Sequence, residues 1–228
     1  MLIKAMHVKI ILMNQTIIFY KYFLKYFLKY FVLCCIALMS FMCFTQPVYA
    51  GKQAEEPVAD AVRQSLTTAI ADKKIPRYKP LNADDTNRYN QWLTLNDMRL
   101  AKRRKDLSAF ARLDILETVY YEASRAGIEP TLVLGLIQVE SNFRKYAISH
   151  ADARGLMQVM PFWTRVAGDG DTAKLFDIMV NLRYGCSIYR LYLNREKGDH
   201  FRALGRYNGS LGKAEYPNAV LAAWKQWQ

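Results

Sequence analysis

The feature that most constrains the fold of this chain is an apolar run that opens at Pro130 and ends at Glu140. Proline is favoured at the first position of a helix, and the apolar residues that follow cover nearly every face of that helix. A helix that is apolar all round is buried. The run therefore predicts a buried helix whose apolar residues are Leu132, Val133, Leu134, Leu136, Ile137 and Val139.

Glu140 lies in the last turn of this predicted helix. Burial and the negative end of the helix dipole both disfavour a carboxylate there, so we expect the pKa of Glu140 to be raised. A carboxyl group that keeps its proton near neutral pH can deliver it to a leaving oxygen as a general acid. The alternative is a solvated glutamate just beyond a core helix, which is the ordinary place for an acidic side chain.

Three further blocks follow the Glu140-Ser141 pair. Taken singly, each has an ordinary explanation: Asn181 as a solvated helix residue, Tyr207 as a core aromatic, and Asn208-Gly209 as a helix stop. Taken together and in this order, they are far more specific. The blocks are Gly155-Leu156-Met157-Gln158-Val159-Met160-Pro161, Asn181-Leu182-Arg183-Tyr184-Gly185-Cys186 and Arg206-Tyr207-Asn208-Gly209.

The ordered set resembles the catalytic domain of the soluble lytic transglycosylases (SLT), a branch of the goose-lysozyme-like superfamily. The resemblance covers roughly residues 113–224 and implies a mainly α, lysozyme-like (goose-type/SLT) globular domain. It implies that Glu140 is the sole catalytic acid/base, and that Ser141 supports either the loop or the acetamido group of the substrate. The other substrate-binding residues that it implies are Gln158 and Met160, which would line the sugar subsites, and Tyr207 and Asn208, with the tyrosine hydroxyl near the catalytic carboxyl.

The resemblance also implies a reaction. A peptidoglycan lytic transglycosylase cleaves the β-1,4 bond between N-acetylmuramic acid and N-acetylglucosamine and leaves a 1,6-anhydromuramic acid end. One glutamate acts first as the acid and then as the base, whereas hydrolysing glycosidases normally need two carboxylates. Goose-type lysozymes carry an aspartate where this chain has Met160, which favours transglycosylation. The chain departs from the family pattern at Lys145, Arg206 and Gly209-Ser210, which leaves subsite details open.

Two other functions stay open at this point. One is a hydrolytic muramidase (lysozyme), and the other is a non-catalytic cell-wall-binding helper of an envelope assembly. Asp152, twelve residues after Glu140, is the candidate second carboxylate of a hydrolase. Because it lies on a loop beside Arg154, a turn residue or a local ion pair is the simpler interpretation. His150 has no partner at metal-binding spacing, so we expect neither a metal nor a cofactor.

The first 50 residues predict export. Lysines precede an apolar stretch at residues 31–44, and Ala50 ends a small-residue cleavage site, which is the pattern of a signal peptide. The alternative is an uncleaved membrane anchor within residues 17–49, since about 20 residues span a bilayer. We therefore expect a location in the bacterial periplasm or cell envelope, either exported freely or anchored in the inner membrane. Beyond this leader only Cys186 remains, so no intrachain disulfide is expected.

We expect the rest of the chain to divide into a polar, partly helical linker at residues 51–83 and a lysozyme-like domain at residues 84–228 with an N-terminal helical extension. Helical spacing predicts a helix that ends at Gly127, with a core-facing stripe. The members of that stripe are Phe110, Leu113, Leu116, Tyr120 and Ala123.

The net charge of +12 includes a dense basic segment that could meet an anionic polymer or lipid, or form a solvated face. Export argues against nucleic acid, and the resemblance implies that the partner is the peptidoglycan glycan strand. The sequence leaves open the oligomeric state, endo or exo cleavage, and the biological process. The basic segment consists of Arg99, Lys102, Arg103, Arg104 and Lys105.

Overall fold

The computed structural model describes Phe27, Gln53, Glu55, residues 60–71 and residues 78–228. All of these except Phe27 belong to one compact unit, Val48–Gln228. The predicted signal peptide or anchor at residues 1–50 lies outside the described residues, apart from that single position.

The described part of the chain is mainly α, as predicted. It contains no β-strand, only isolated bridges that pair Arg154 with Ile148 and with Val159. None of the described helices is long and apolar enough to cross a membrane. In chain order the helices are α1 (Asp60–Ala71), α2 (Ala83–Arg103), α3 (Ala109–Ala126), α4 (Pro130–Glu140), α5 (Phe162–Ala167), a 3-10 helix (Thr172–Phe176), α6 (Ile178–Arg195), α7 (His200–Asn208) and α8 (Glu215–Lys225).

Local sequence signals set the helix ends. Pro130 occupies the first turn of α4, and Gly127 ends α3 in the left-handed conformation, with φ of 65°. Asp199 begins α7 by accepting a hydrogen bond of 3.0 Å from the backbone N–H of Arg202. These interactions pair backbone groups that the ends of a helix leave without partners.

Helix α4 is the centre of the fold, as the apolar run predicted. Eight of its eleven residues are buried, among them Glu140 at its end. Its most extensive packing is against α8. The two helices approach closely at Gly135, where a Cβ atom would lie only 2.7 Å from the backbone nitrogen of Trp224. The absence of a side chain at Gly135 therefore lets α8 pack against the helix that carries Glu140.

The predicted stripe of α3 is wrong at two positions. Phe110 is 81% exposed and Leu113 is 37% exposed. The buried face instead includes Glu122, whose carboxylate forms an ion pair of 2.7 Å with the buried Arg183 of α6. Because the inner face of α3 carries this buried, paired carboxylate, that face looks polar in the sequence. The predicted stripe was therefore placed partly on the exposed face. The apolar residues of the true inner face are Ile115, Leu116, Val119 and Ala123.

The segment expected to be a polar, partly helical linker, residues 51–83, contains α1. Leu66 of this helix is buried, and α1 contacts α5 and α6. Arg125 of α3 also donates a hydrogen bond of 3.5 Å to the carbonyl oxygen of Ala69. This part of the segment packs on the domain.

Candidate active site

Glu140 ends α4 as a buried carboxyl group with only 1% of its surface exposed. Its Oε1 accepts a hydrogen bond of 2.5 Å from the hydroxyl of Tyr216, and its buried Oε2 has no protein partner among the described residues. Burial raises the pKa of Glu140 to about 8, although the hydrogen bond from Tyr216 acts in the opposite direction. The predicted burial and raised pKa of this carboxyl group are therefore confirmed.

Tyr216 is a site residue that sequence reasoning did not find. It lies in the first turn of α8, is buried, and is 76 positions from Glu140 in the chain. Burial, followed by the nearby charge of Glu140, raises the pKa of the Tyr216 hydroxyl well above its ordinary value. The hydroxyl therefore keeps its proton and acts as a hydrogen-bond donor. A tyrosine in an otherwise apolar helix face was the only available signal, because a buried hydroxyl normally needs a partner.

Ser141 joins the end of α4 to the next block. Its hydroxyl lies 2.7 Å from the carbonyl oxygen of Leu156 and 3.2 Å from that of Ile137. Of the two roles that the resemblance implies for this buried serine, the structure favours support of the loop.

Asn181 of α6 holds the loop at residues 155–160 in place. The amide of Asn181 accepts from the backbone N–H of Met157 at 2.8 Å and donates to the carbonyl oxygens of Arg154 and Leu175, also at 2.8 Å. Gly155 has a φ of 76°, and a Cβ atom there would lie 2.3 Å from the Asn181 amide nitrogen. Asn181 is therefore a buried loop anchor and not a solvated helix residue.

Gln158 lies in this loop, buried and in a left-handed conformation with φ of 49°. Its amide nitrogen donates to the carbonyl oxygens of Ala147 and Gly155 at 3.1 and 3.0 Å. Its buried Oε1 has no partner among the described residues. Nearby in sequence, the side chain of Met160 is half-buried and packs against the hydrophobic core.

Tyr207 and Asn208 end α7. The Tyr207 hydroxyl donates a hydrogen bond of 2.8 Å to the carbonyl oxygen of Met157, and the charge of Glu140 contributes, after burial, to the raised pKa of Tyr207. Tyr207 thus supports the loop, while Tyr216 contacts the Glu140 carboxyl directly. Asn208 donates to the hydroxyl of Ser210 at 3.1 Å, and its buried Oδ1 has no partner in the described part of the chain.

Unpaired buried oxygens are concentrated in the sequence-predicted site. Five buried side-chain N or O atoms of the described residues have no hydrogen-bond partner, and three of them belong to Glu140, Gln158 and Asn208. Buried polar atoms are nearly always paired in folded proteins, so an unpaired one calls for a functional explanation. All three belong to residues that the resemblance implies for the site.

The carboxylate of Asp152 forms an ion pair with Arg154. It lies in a left-handed turn with φ of 65°, its side chain is 55% exposed, and both carboxylate oxygens accept from Arg154 at 3.1 Å. The interpretation as a turn residue with a local ion pair is confirmed.

The described residues contain no group of three or more metal-ligating side chains. The one cysteine among them, Cys186, is buried, and burial raises the pKa of its thiol far above the ordinary range. A thiol in that state is not a nucleophile.

The basic segment contributes to the structure of the site. Arg99 donates hydrogen bonds to the carbonyl oxygens of Trp227 and Gln228, Arg103 to the side chains of Asn142 and Gln226, and Arg104 to the carbonyl oxygen of Asn142. Three of its five cationic side chains therefore form hydrogen bonds within the protein.

The chain is similar to known proteins over the region that carries these residues. The transglycosylase SLT domain matches residues 117–220. The chain is 43% identical over 82 residues to a membrane-bound lytic murein transglycosylase C of Actinobacillus pleuropneumoniae serotype 5b, covering 32% of this chain and 22% of the relative. It is 27% identical over 170 residues to a protein of the same description from Haemophilus influenzae strain PittEE, covering 68% and 47%. The chain thus spans about half, or less, of the length of these relatives.

The matched region contains all six residues that the ordered blocks singled out, from Glu140 to Asn208. Its mainly α fold, with the buried glutamate at the end of a central helix, is the fold that the resemblance implied. Residues 117–220 of the chain thus match the transglycosylase SLT domain.

Proposed function

We propose that this protein is a peptidoglycan lytic transglycosylase that cleaves the β-1,4 bond between N-acetylmuramic acid and N-acetylglucosamine. The observation that carries the proposal is the state of Glu140. Its pKa of about 8 keeps the carboxyl group protonated at neutral pH, and Oε2 is left without a protein partner among the described residues. The domain match and the names of the relatives support the same substrate class.

The first step uses Glu140 as an acid. Because Oε1 accepts from Tyr216, the proton of the neutral carboxyl group resides on Oε2. Glu140 transfers this proton to the glycosidic oxygen as the bond from C1 of the muramic residue to that oxygen breaks. The leaving sugar departs with a hydroxyl group, and Glu140 becomes a carboxylate that retains the hydrogen bond from Tyr216.

The second step uses the same carboxylate as a base. It removes the proton from the C6 hydroxyl of the muramic residue while the C6 oxygen attacks C1 and closes the 1,6-anhydro ring. Glu140 is then protonated again, and no water is consumed. The half-buried Met160 beside Gln158, in place of an aspartate, supports ring closure over hydrolysis.

The substrate-binding roles follow from the unpaired oxygens. The Oε1 of Gln158 and the Oδ1 of Asn208 accept hydrogen bonds from hydroxyl or amide N–H groups of the glycan. Ser141 and Tyr207 hold the loop at residues 155–160 in place. The names of the relatives and the basic, apolar leader support a location in the cell envelope.

Product analysis tests this function. Digestion of purified peptidoglycan should give fragments that end in 1,6-anhydro-N-acetylmuramic acid, about 18 Da lighter than the hydrolysis products because no water is added. Glu140→Gln keeps the shape of the side chain but cannot deliver a proton, so turnover should fall by a factor on the order of 10² or more. Asp152→Asn is the matched control and should retain most of the activity.

The two alternatives predict different results in the same assay. Reducing-end products, together with an inactive Asp152→Asn variant, would identify a muramidase. A protein that binds peptidoglycan and releases no fragments, equally with and without Glu140, would be a helper.

A further inference from the structure

The residues just after Glu140 adopt an unusual backbone conformation. Asn142 and Phe143 have φ angles of 47° and 60°, so two consecutive residues that are not glycine lie in the left-handed region. This conformation is unfavourable for residues with a Cβ atom, and especially for a bulky one. The Asn142–Phe143 turn therefore needs interactions from elsewhere in the fold to persist.

Arg104 provides one such interaction. Its guanidinium is fixed by two parallel hydrogen bonds to Asp106, with Nε to Oδ1 at 2.8 Å and Nη2 to Oδ2 at 2.6 Å. The remaining nitrogen, Nη1, donates to the carbonyl oxygen of Asn142. The planar guanidinium, held by Asp106, thus presents a donor in a fixed direction to the turn.

The end of the chain provides the others. Trp227 is buried, its ring lies 5.3 Å from that of Phe143, and its indole N–H donates to the side chain of Gln138 at 2.8 Å. Gln226 accepts from Gln138 at 3.2 Å and from Arg103 at 3.0 Å. Arg99 in turn donates to the backbone carbonyl of Trp227 at 2.5 Å.

All of these supports lie outside the family-matched region. That region covers residues 117–220, whereas the arginines extend from Arg99 to Arg104 and the tail covers residues 226–228. The matched domain contributes only Gln138 and the turn itself. The basic segment and the tail thus lie outside the matched region and converge on the two residues following the Glu140-Ser141 pair.

We propose that Arg104, together with Arg103 and the tail at residues 226–228, is a positioning device that holds the Asn142–Phe143 turn and thereby fixes the Glu140 carboxyl group in its buried place beside Tyr216. Arg104 does not touch the reacting atoms. This inference rests on the proposed function, because it gives the turn a role in the reaction through Glu140.

Loss of the support from Arg104 should change the pKa of Glu140. Release of the turn would unwind the last turn of α4 and let water reach the carboxyl group, so the pKa of Glu140 would fall toward its ordinary value. Simple loss of a positive charge would act in the opposite direction, because a nearby cation favours the carboxylate. A downward shift after removal of Arg104 therefore reports lost positioning and not lost charge.

The experiment compares Arg104→Ala with Arg112→Ala. Arg112 is a matched control because it also forms a double hydrogen bond with an aspartate, Asp97, and donates to a backbone carbonyl, that of Leu107, without contacting the turn. The two side chains are 13% and 16% exposed. Both variants should lose similar thermal stability. Arg104→Ala should lower kcat by roughly tenfold or more, as expected when a catalytic group is displaced, whereas Arg112→Ala should lower it less than about twofold.

The pKa of Glu140 is measured separately by carbon-13 NMR titration of labelled glutamate side chains, with Glu140→Gln identifying the signal. In Arg104→Ala the pKa should fall, and the alkaline limb of the pH–activity profile should move to lower pH by the same amount. In Arg112→Ala the pKa of Glu140 and the alkaline limb of the pH–activity profile should both be unchanged. Equal effects of the two variants on kcat, or an unchanged pKa of Glu140 in Arg104→Ala, would overturn the inference.

A second pair of variants covers the case in which Arg104→Ala does not fold. Asp106→Asn removes the charge that fixes Arg104 from a side chain that is 65% exposed, and Asp97→Asn is its counterpart at Arg112. The NMR titration also separates the two proposals. If the pKa of Glu140 shifts in Arg104→Ala but the protein cleaves no peptidoglycan, the positioning device stands and the proposed function is rejected. If the protein gives anhydro products but the Arg104 and Arg112 variants do not differ, the function stands and the positioning device is rejected.

Discussion

At the scale of single residues, the site depends on a contrast between the two oxygens of one carboxyl group. Oε1 of Glu140 is held by Tyr216, and Oε2 faces no protein donor in the described part of the chain. The hydrogen bond orients the group and stabilises its charged form, while burial stabilises its neutral form. This balance allows one side chain to give up a proton and then take one back.

Tyr216→Phe tests that balance. Because the hydrogen bond from Tyr216 lowers the pKa of Glu140, its removal should raise that pKa above about 8 and move the alkaline limb of the kcat/KM profile to higher pH. The direction is opposite to that expected for Arg104→Ala. A hydrogen bond to a charged group contributes roughly 1.5–3 kcal/mol, so kcat should fall by about tenfold to a hundredfold as the carboxylate of the second step loses its donor.

Tyr207→Phe is the control for this prediction. It removes a hydroxyl that is also buried, but one that bonds the carbonyl oxygen of Met157. The alkaline limb of the kcat/KM profile of Tyr207→Phe should stay close to that of the parent protein. An identical limb in Tyr216→Phe, or one at lower pH, would contradict the role assigned to the Tyr216 hydroxyl.

At the scale of helices, the contact between Glu140 and Tyr216 depends on how α4 packs against α8. Each helix carries one of the two residues, and the two helices meet closely at Gly135. The separation of these helices therefore sets the distance between the carboxyl group and its donor.

Gly135→Ala should separate them. The added Cβ would lie 2.7 Å from the backbone nitrogen of Trp224, so one helix must move. Overpacking of this kind costs about 1–3 kcal/mol, which exceeds the roughly 1 kcal/mol that alanine contributes through helix propensity. We expect lower stability in urea unfolding and a reduced kcat. A variant as stable and as active as the parent would show that the close approach is not required.

The sequence predicted α4 and its terminal glutamate because burial on every side leaves an unambiguous apolar run. It could not predict the contact with Tyr216, since a pairing over 76 positions has no local signal. It also left the role of Asn181 open, because a polar side chain suits solvent and buried anchoring equally well. The exposed Phe110 had a related cause, because the buried Glu122 disguised the true inner face of α3.

At the scale of the whole molecule, the raised pKa of Glu140 is a cost to folding. Its folded-state value of about 8 lies above the ordinary 4.5, so the folded protein holds this proton more tightly than the unfolded chain does. The stability linked to this group is therefore fully present below pH 4.5 and is lost as the pH rises through 8. The proposed catalytic group thus makes the protein less stable at neutral pH.

Glu140→Gln should remove this cost. The amide cannot ionise, so the stability of the variant relative to the parent should rise by roughly 3 kcal/mol between pH 4.5 and pH 7, at about 1.36 kcal/mol for each pH unit. The difference should grow from about pH 4.5 to 8 and then level off, as measured by urea unfolding across that range. The values at low pH provide the internal reference. A difference that does not depend on pH would mean that Glu140 titrates near its ordinary value.

The unpaired oxygens of the site also define what an inhibitor of this protein needs. Below pH 8 the protonated Oε2 of Glu140 offers a hydrogen to an acceptor, while Gln158 and Asn208 offer oxygens to N–H or O–H groups. Above that pH the carboxylate favours a positively charged group. The affinity of a compound that offers a basic nitrogen to Glu140 would therefore depend on pH through the protonation state of Glu140 as well as its own.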